Sequence, residues 1–457
     1  MNIFLFDSLS RKKKEFIPIN PKNVRVYACG PTVYDFAHVG NARMAVVTDL
    51  LVRILKKKFE RVTFVSNITD IDDKIIKASK DSKIPINLLT NRFHKIYNQD
   101  MANLNVKEPD LQPKATEHIN EMIQMIKELI NNKCAYISNK NVIFNVESYR
   151  FYGKLSGRSK DEQMAGARVE VADFKKNPRD FILWKPSKDN EPGWSSPWGR
   201  GRPGWHIECS AMSRKCLETP FDIHCGGVDL TFPHHENEIA QSCSARNVNS
   251  KPEDFCRYWF HNGFVTFNGE KMSKSLGNIQ LINDLLNQYD GETIRLSLIS
   301  SHYRQPLNWT KRLLEQSKKT LSRIYNDINK IDLKSKKVEI PEKNIFFNQF
   351  MNALCDDLNT PKALSVLNNF FNLLKKANAK EKKDIREAIL NALAILGINE
   401  NISKKEDTNK ELVEMLVKQR DIARKDKDFK KADEIREKLK KMNIDIEDTA
   451  DGTRWKK

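Results

Sequence analysis

Near its amino end the chain runs through a strand, a helix and a second strand, and no other feature constrains its fold as strongly. Residues 24–28 (VRVYA) favour a short strand, which a glycine and a proline end directly afterwards. Apolar residues recur at three- and four-residue steps from about 41 to 58, which predicts a helix, and residues 62–65 predict the second strand. Such a βαβ unit builds a parallel sheet, whose ligands lie beyond the carboxyl ends of the strands, here at 29–32 and 67–73.

The alternation of helices and strands continues along most of the chain. Two helices are predicted near 84–105 and 115–132, and the α/β pattern returns over 206–261. The stretch between them, about 140–205, is rich in glycine, proline and tryptophan and indicates a small inserted subdomain. From 310 onward the pattern is helical, with segments near 310–331, 344–356, 361–377 and 381–396, and a last basic helical pair follows a connector near 399–409. The sequence therefore predicts an α/β region with a parallel sheet, followed by a helical region.

Charge and cysteine content narrow the function. Residues 311–457 hold 34 lysines and arginines against 25 acidic residues, an excess of 9, and the other 310 residues hold 44 against 35, also an excess of 9. The C-terminal third is therefore the more basic part, which favours a nucleic acid partner, although a lysine-rich solvated surface is the alternative. The eight cysteines are scattered, and no apolar run approaches the ~20 residues of a membrane helix. We expect a cytoplasmic protein with no membrane partner.

The loop between the first strand and the helix carries a candidate phosphate site. It reads Cys29-Gly-Pro-Thr-Val-Tyr-Asp-Phe-Ala-His38-Val-Gly40-Asn41. The start of a helix offers N–H groups and positive potential to a phosphate. Gly40 permits close approach, while His38 and Asn41 supply hydrogen-bond donors. The alternative is an ordinary loop in which Asn41 caps the helix.

A second candidate motif is Gly269-Glu-Lys271-Met-Ser-Lys274-Ser-Leu-Gly277-Asn. Two lysines three residues apart, beside small hydroxyl residues and between glycines, favour a mobile cationic loop that closes on a triphosphate. Lys271 and Lys274 would neutralise negative charge that develops in the transition state. The alternative is an exposed turn with solvated lysines.

Cysteine, histidine and glutamate residues suggest a metal site. His234 and Glu238 are four residues apart and so share one face of a helix, and Cys209 opens another helical segment. Cys29 ends the first strand, where it can approach them. Two thiols, an imidazole and a carboxylate suit Zn²⁺, although a lone cysteine is often only a buried apolar residue. Because no Cys-x-x-Cys pair anchors the site, spacing leaves competing ligands open: Cys216, Cys225, His224 and His235.

Taken together, these stretches resemble the class I aminoacyl-tRNA synthetases, whose His-Ile-Gly-His and Lys-Met-Ser-Lys-Ser motifs flank a nucleotide-binding Rossmann fold. The corresponding residues here are 38–41 and 271–275. Within that class the chain is similar to the cysteinyl-tRNA synthetase family from about 20 to 310 and again in the tail. The stretches that carry this likeness are 29–35, 67–74, 201–212, 221–227, 232–238, 447–449 and 452–455. One departure is Asn41, which replaces a histidine; it can donate a hydrogen bond but cannot carry a charge.

The resemblance implies an architecture and a reaction. The implied fold is α/β, a Rossmann-type parallel-sheet catalytic domain with an inserted subdomain, followed by an α-helical bundle and a small C-terminal domain. We expect the catalytic domain at 1–310 (with the insertion at about 133–203 and a motif-loop region at about 250–310), the tRNA-binding bundle at 311–400 and the anticodon-recognition domain at 401–457. The implied enzyme activates L-cysteine with ATP and transfers it to tRNA(Cys), and we expect it to be a monomer.

The family's site residues are carried over one by one. One Zn²⁺ ion per chain is expected at four ligands: Cys29, Cys209, His234 and Glu238. The ATP site, with Mg²⁺ accompanying the nucleotide, is expected at His38, Gly40, Asn41, Lys271 and Lys274. Cysteine and its adenylate are expected near Gly30, Thr32, Thr69, Trp205 and His224. For Trp205 the alternative is a packed aromatic residue.

The basic tail supplies candidate contacts to tRNA. Phosphate contacts are expected from Arg420, Arg424, Lys430, Lys431, Arg436 and Lys440. Trp455 is expected to stack on an unpaired base, unless it closes a small core. Two rival functions are a ligase that joins activated cysteine to a small amino-sugar amine and a synthetase-like RNA-binding protein without catalysis. The basic region after 311 disfavours the first, and the intact motifs disfavour the second.

Overall fold

The computed structural model describes most of the chain, and the residues described are 2–166, 173–272, 276–329, 344–398, 413, 415–424, 426, 428–441, 445–449 and 452–456. Lys274 lies outside these residues, as do the side chains of Lys271, Lys430, Lys431, Lys440 and Trp455. The chain forms two compact units, Met1–Gly397 and Ile398–Lys457, and each is described by itself.

The first unit contains both strands and helices. Its strands are β1 (Phe4–Asp7), β2 (Lys12–Glu15), β3 (Val24–Ala28), β4 (Val62–Ser66), β5 (Ala135–Ser138), β6 (Asn141–Phe144), β7 (Phe181–Pro186), β8 (Gly201–Pro203), β9 (Phe221–Gly227), β10 (Cys256–Asn262), β11 (Val265–Phe267), β12 (Glu270–Lys271) and β13 (Leu307–Trp309). Its helices are α1 (Val39–Lys58), α2 (Asp73–Ser82), α3 (Ile86–Asn103), α4 (Ile119–Asn131), α5 (Lys160–Gly166), α6 (Trp205–Leu217), α7 (Glu236–Arg246), α8 (Ile282–Leu286), α9 (Gly291–Leu298), α10 (Lys311–Asn329), α11 (Ile345–Cys355), α12 (Thr360–Leu374) and α13 (Ala379–Leu396).

Parallel strands in the order β10-β9-β3-β4 form the central sheet. Helix α1 connects the neighbouring strands β3 and β4, so the predicted βαβ unit is confirmed. Strands β3 and β9 are almost wholly buried, as expected for a parallel sheet that is covered on both faces. The carboxyl ends of β3 and β9 therefore lie side by side at one edge of the sheet.

Helix α1 begins at Val39, two residues before its predicted start, because His38 caps it. The His38 Nδ1 atom accepts hydrogen bonds from the backbone N–H groups of Gly40 (3.1 Å) and Asn41 (3.3 Å). In return, the Asn41 side-chain oxygen accepts one from the His38 N–H at 3.1 Å. This reciprocal cap satisfies N–H groups that the start of a helix otherwise leaves unpaired.

An antiparallel sheet in the order β5-β6-β7-β8 occupies the stretch where the sequence indicates an insertion. Arg202 on β8 pairs with Asp73 at the start of α2 at 2.9 Å, which ties this sheet to the rest of the unit. Helix α2 itself was not predicted. Asp72 caps it, but only Ile75 and Ile76 are buried on it, which is too short an apolar pattern to stand out in the sequence.

Helices α10 to α13 lie within a few residues of the helical segments predicted after 310. A fully buried arginine on α9, Arg295, joins α13 to the sheet region. Its guanidinium donates to the carbonyls of Leu396 (2.6 Å) and Leu104 (3.0 Å) and pairs with Asp49. The helical segment is thus fastened to α1, because Asp49 belongs to that helix.

The second unit contains α14 (residues 415–424), α15 (Phe429–Lys441) and a hairpin of β14 (Asp445–Thr449) and β15 (Gly452–Lys456). The predicted helical pair is present, but the tail after it forms a hairpin that the sequence analysis did not predict. The buried core residues of this unit are Val413, Leu416, Val417, Ile435 and Leu439, with Ile446 packed against them. Within the part of the chain that the structure describes, no helix has the length and apolar character needed to cross a membrane.

Candidate active site and metal centre

A cleft of about 610 Å³ opens at the carboxyl ends of β3 and β10 and at the start of α1. It brings together residues that the sequence analysis assigned to the metal, the nucleotide and the amino acid. Those that line it are Cys29, Gly30, Thr32, His38, Gly40, Asn41, Thr69, Trp205, Cys209 and His234. Residues that lie more than 200 positions apart in the chain thus share one cavity.

The four predicted metal ligands converge at this cleft, and three of them, Cys29, Cys209 and His234, line it. Cys29 follows β3, Cys209 lies on α6, and His234 and Glu238 lie around the start of α7. The two sulfur atoms are 3.6 Å apart, and the Glu238 Oε1 atom is 3.4 Å from the Cys29 sulfur and 3.0 Å from the His234 Nε2 atom. All four side chains are buried, and their ligand atoms lie within 4.8 Å of one another.

A second set of four residues is equally compact. It replaces Cys209 and His234 with His224 and His235, and the His235 Nε2 atom lies 3.3 Å from the Cys29 sulfur. The two sets differ in their access to the cleft, because Cys209 and His234 line it whereas His224 and His235 are buried outside its wall. Three residues of the first set therefore line the cleft, but only Cys29 of the second set does.

The imidazoles around the cluster hold its ligands in place. The His224 Nε2 atom contacts the Glu238 Oε2 atom at 2.9 Å, which leaves Oε1 turned toward Cys29 and His234. The His206 Nδ1 atom contacts the His234 Nδ1 atom at 2.9 Å, so the Nε2 atom of His234 is the one that faces the cluster. Such partners fix the orientation of metal ligands. His206 was not among the predicted site residues, although it is three residues before Cys209 and so shares a face of α6 with it.

A second imidazole that the sequence analysis missed is His261. Its Nε2 atom contacts the His235 Nδ1 atom at 2.8 Å, and its Nδ1 atom contacts the Ser8 hydroxyl at 2.8 Å. His261 lies near the end of β10, next to β9 in the sheet. No local sequence signal connects it to the cluster, because the contact arises only when these two strands pair.

The cluster combines acidic ligands with a basic imidazole. Burial lowers the pKa of His234, but Glu238 and Cys209 outweigh that effect and raise it to about 10. Burial raises the pKa of Glu238, but His224 and His234 outweigh that effect and hold it well below its usual range. A hydrogen bond from Cys29 lowers the pKa of Cys209 to about 6 in spite of burial, whereas burial and the neighbouring Cys209 raise the pKa of Cys29. The cluster therefore carries a carboxylate and a readily formed thiolate. Two sulfurs, one imidazole and one carboxylate are a donor set that fits Zn²⁺.

The side of the cleft that the sequence predicts to bind the nucleotide is the capped start of α1. Since the His38 Nδ1 atom accepts the two backbone hydrogen bonds of the cap, its proton in the neutral ring resides on Nε2, which can donate. A Cβ atom on Gly40 would lie 2.9 Å from the His38 ring, so glycine keeps this turn tight. Asn41 both lines the cleft and caps the helix, so the functional and the structural interpretations of this residue are compatible.

The second motif borders the same cleft. Strand β12 pairs with β11, and Met272 and Ile279 line the cleft on either side of residues 273–275. The backbone of Lys271 belongs to β12. The predicted roles of the Lys271 side chain and of Lys274 concern groups outside the described residues.

The residues expected near cysteine differ in their surroundings. Trp205 is 37% exposed, and its ring stacks on the His234 ring with centroids 4.3 Å apart, so it is both a cleft residue and a packed aromatic. The buried Thr69 hydroxyl donates to Glu208 at 3.0 Å. His224 does not line the cleft but lies behind Glu238, because strand β9 directs it into the interior. It contacts the candidate metal ligands rather than the cavity.

The candidate tRNA contacts of the second unit also differ. Arg424 and Arg436 are exposed, as a phosphate contact requires, but Arg420 is only 4% exposed. Arg420 lies three and four residues after Val417 and Leu416, which places it on the core-facing side of its helix. The other candidates, Lys430, Lys431, Lys440 and Trp455, have side chains outside the described residues.

Comparison with protein families gives three successive matches. Residues 15–319 match the model of the tRNA synthetases class I (C) catalytic domain, and residues 349–402 match the DALR domain. Residues 410–455 match the cysteinyl-tRNA ligase anticodon binding domain.

Individual relatives match over the full length. The chain is 48% identical to a protein of Parvibaculum lavamentivorans named cysteine–tRNA ligase, over 100% of this chain and 98% of that one. It is 46% identical to the protein of the same name from Rhodospirillum rubrum, over 100% of both. Among solved structures it is similar to methionyl-tRNA synthetase of Mycobacterium tuberculosis with methionyl-adenylate (TM-score 0.56, 14% identity, 82% of this chain and 89% of that one). It is also similar to the LeuRS–tRNA–LeuAMS complex of Agrobacterium radiobacter (TM-score 0.58, 11% identity, 83% of both). At these identities the two structures establish a shared fold.

Proposed function

The chain belongs to the cysteine–tRNA ligase family of class I synthetases, and from this premise we propose that it joins L-cysteine to tRNA(Cys) at the expense of ATP. The observation that carries the proposal is the single cleft in which a Cys₂-His-Glu cluster faces the capped start of α1. The amino-sugar ligase and the non-catalytic RNA-binding protein are not supported, since the relatives match the full chain, including residues 410–455.

The reaction needs orientation more than a side-chain nucleophile. In the first step the cysteine carboxylate attacks the α-phosphate of ATP; the new P–O bond gives cysteinyl-adenylate, and pyrophosphate leaves. In the second step the 2′-hydroxyl of the terminal adenosine attacks the activated carbonyl, and AMP leaves. The Nε2–H of His38 and the positive potential at the start of α1 would hold the phosphates, with Mg²⁺ accompanying ATP, because the first backbone N–H groups of the helix are already hydrogen-bonded. Lys274, with Lys271 assisting, would stabilise the departing pyrophosphate.

We assign Zn²⁺ to Cys29, Cys209, His234 and Glu238. When bound there, zinc supplies a Lewis acid that prefers a thiolate to a serine hydroxyl, which stays protonated at neutral pH. Glu238 is held by His224, and His234 by His206, so the ligands are fixed before substrate arrives. A hydrophobic pocket alone could not separate cysteine from serine without editing.

The remaining parts of the chain would bind the tRNA. The domains proposed are 1–310 for catalysis, 311–400 for the tRNA-binding bundle and 401–457 for the anticodon. Arg424 and Arg436 are the described arginines of the second unit that expose their side chains for phosphate contact. We propose that the enzyme acts as a cytoplasmic monomer.

The test of this function is exchange of labelled pyrophosphate into ATP with cysteine, serine and methionine in turn, with zinc measured on the same sample. We expect exchange with cysteine alone, and charging of tRNA(Cys) when tRNA is added. Exchange that needs no cysteine, or equal exchange with serine, would contradict the proposal.

For Lys274→Ala we expect adenylate formation to slow by on the order of 10²-fold, with little change in the KM for cysteine. An electrostatic donor that engages pyrophosphate mainly in the transition state affects kcat rather than ground-state binding. The measurement is single-turnover adenylate formation. Lys215→Ala, on the exposed last turn of α6, is the matched control and should keep the wild-type rate. An unchanged rate in Lys274→Ala would refute the assignment.

A further inference from the structure

The guanidinium of Arg43 is surrounded by backbone carbonyl groups from two loops. Arg43 lies on α1, two residues after Asn41, and has no exposed surface. Its Nη1 atom donates to the carbonyl oxygens of Gly263 (3.2 Å) and Phe264 (2.7 Å). Its Nη2 atom donates to three more carbonyl oxygens, those of His302 (3.3 Å), Tyr303 (3.3 Å) and Gln305 (2.6 Å). One side chain thus holds two separate loops against α1.

This arrangement differs from that of an ordinary buried ion pair. Among the described residues, no acidic side chain forms an ion pair with Arg43, and burial lowers its pKa to about 10, which leaves it protonated at neutral pH. An unpaired buried charge is costly, so the carbonyl dipoles must offset its desolvation. Arg295, the other fully buried arginine described above, does have a carboxylate partner in Asp49. The buried charge of Arg43 is therefore stabilised only while the two loops keep their positions, and Arg43 in turn holds the loops in place.

The two loops belong to the nucleotide cleft. Residues 262–266 form one wall of the cleft that the start of α1 also lines, and β11 continues from this wall into β12, the first strand of the second motif. The other loop, 302–305, leads into β13, which pairs with β11. The packing between the loops is close, because a Cβ atom on Gly263 would lie 2.6 Å from the Arg304 carbonyl oxygen. The two loops therefore have little room to shift against each other, and Arg43 is a side chain that binds both of them.

We propose that Arg43 is a positioning residue that sets the distance between the helix start carrying His38 and Asn41 and the cleft wall that leads into the second motif. It touches neither substrate and acts through the loops it binds. The inference rests on the proposed function for the reaction. The effect of Arg43 on the shape of the nucleotide site does not depend on which amino acid is activated. The groups that Arg43 contacts do not include the metal cluster. Replacing Arg43 should therefore change the binding of ATP but not the binding of cysteine.

The test compares Arg43→Lys with Arg295→Lys in the full-length protein. An ammonium keeps the charge but cannot reach five carbonyls in a planar fork. For Arg43→Lys we expect about 10-fold weaker ATP binding by calorimetry and roughly 10- to 100-fold slower single-turnover adenylate formation, since a misplacement near 1 Å can cost that much. The KM for cysteine and the zinc content should stay within about twofold of the wild type. Arg295→Lys should lower the melting temperature but leave ATP affinity unchanged.

The outcomes separate a positioning role from a structural one. All rates are measured at a temperature where circular dichroism shows each variant fully folded. If Arg43→Lys binds ATP and forms adenylate like the wild type, or only loses thermal stability as Arg295→Lys does, the inference is overturned. If Arg43→Lys does not fold, Arg43→Gln, a shorter planar amide, is used with the same criteria. If the wild type itself shows no cysteine-dependent exchange, the proposed function fails, while the ATP affinities still decide the role of Arg43.

Discussion

Replacing Cys209 with serine is expected to remove both the bound zinc and the ability to activate cysteine, while the fold is retained. The wild-type protein should carry about one zinc per chain, because its ligand atoms already lie within 4.8 Å of one another. Serine preserves the shape of the side chain but supplies a hydroxyl, which does not ionise at neutral pH and is a poor zinc ligand. We expect adenylate formation to fall by about 10³-fold or more, since the substrate thiol then loses its partner. Zinc analysis and pyrophosphate exchange on the same preparation measure the two effects.

Cys216→Ser is the matched control for this variant. Cys216 is a half-buried free thiol seven residues further along the same helix, and it belongs to neither candidate ligand set. It should keep both zinc and activity, which excludes a general effect of losing a cysteine on α6. His235→Asn distinguishes the two ligand sets, because His235 belongs only to the second set, which consists of Cys29, His224, His235 and Glu238. Zinc retained in Cys209→Ser and lost in His235→Asn would place the metal in the second set and contradict the assignment.

The parts of the fold that were predictable from sequence are those with a local periodic signal. The strand Val24–Ala28, the helix after it and the helices beyond 310 all bury an apolar pattern that can be read within one segment. The predicted start of α1 was two residues late, because the cap uses a histidine rather than one of the usual small polar residues. The hairpin of β14 and β15 was missed because its strands are short and charged, so they lack an alternating apolar face.

The residues of the candidate site were likewise predictable only where a local sequence signal existed. The residues named for the metal came from motifs, and the structure brings Cys29, Cys209 and His234 to one cleft. Choosing between His234 and His235 needed the three-dimensional structure, because they lie four and three residues before Glu238 and both spacings are compatible with one helix face. No sequence pattern pointed to Arg43. Its acceptors are backbone carbonyls about 220 to 262 positions away, and the backbone carbonyl is the same in every residue type.

Truncation after residue 402 is expected to leave pyrophosphate exchange largely intact while charging of tRNA(Cys) falls by about 10³-fold. The first part follows because each residue proposed for ATP, zinc or cysteine lies before 280, within the unit Met1–Gly397. The cut also spares Gly397, whose carbonyl is held by Asn105 at 3.0 Å. The second part follows because the segment removed matches an anticodon binding domain and carries exposed basic residues. Raising the salt concentration weakens binding by about 10³-fold or more in proteins with 6–10 phosphate contacts, which sets the scale expected for removing such contacts.

The salt dependence of tRNA binding decides whether the charges themselves are responsible. If the second unit binds through phosphates, the affinity of the full chain should fall steeply with salt, and the truncated protein should show a shallower slope. The double variant Arg424→Ala, Arg436→Ala should lie between them, because both side chains are exposed and each removed contact reduces the slope by about 1. Arg420→Ala should instead lower the stability of this unit, since Arg420 is buried. Equal charging and equal slopes for the full and truncated proteins would mean that the basic excess is only a solvated surface and that anticodon recognition is not part of its function.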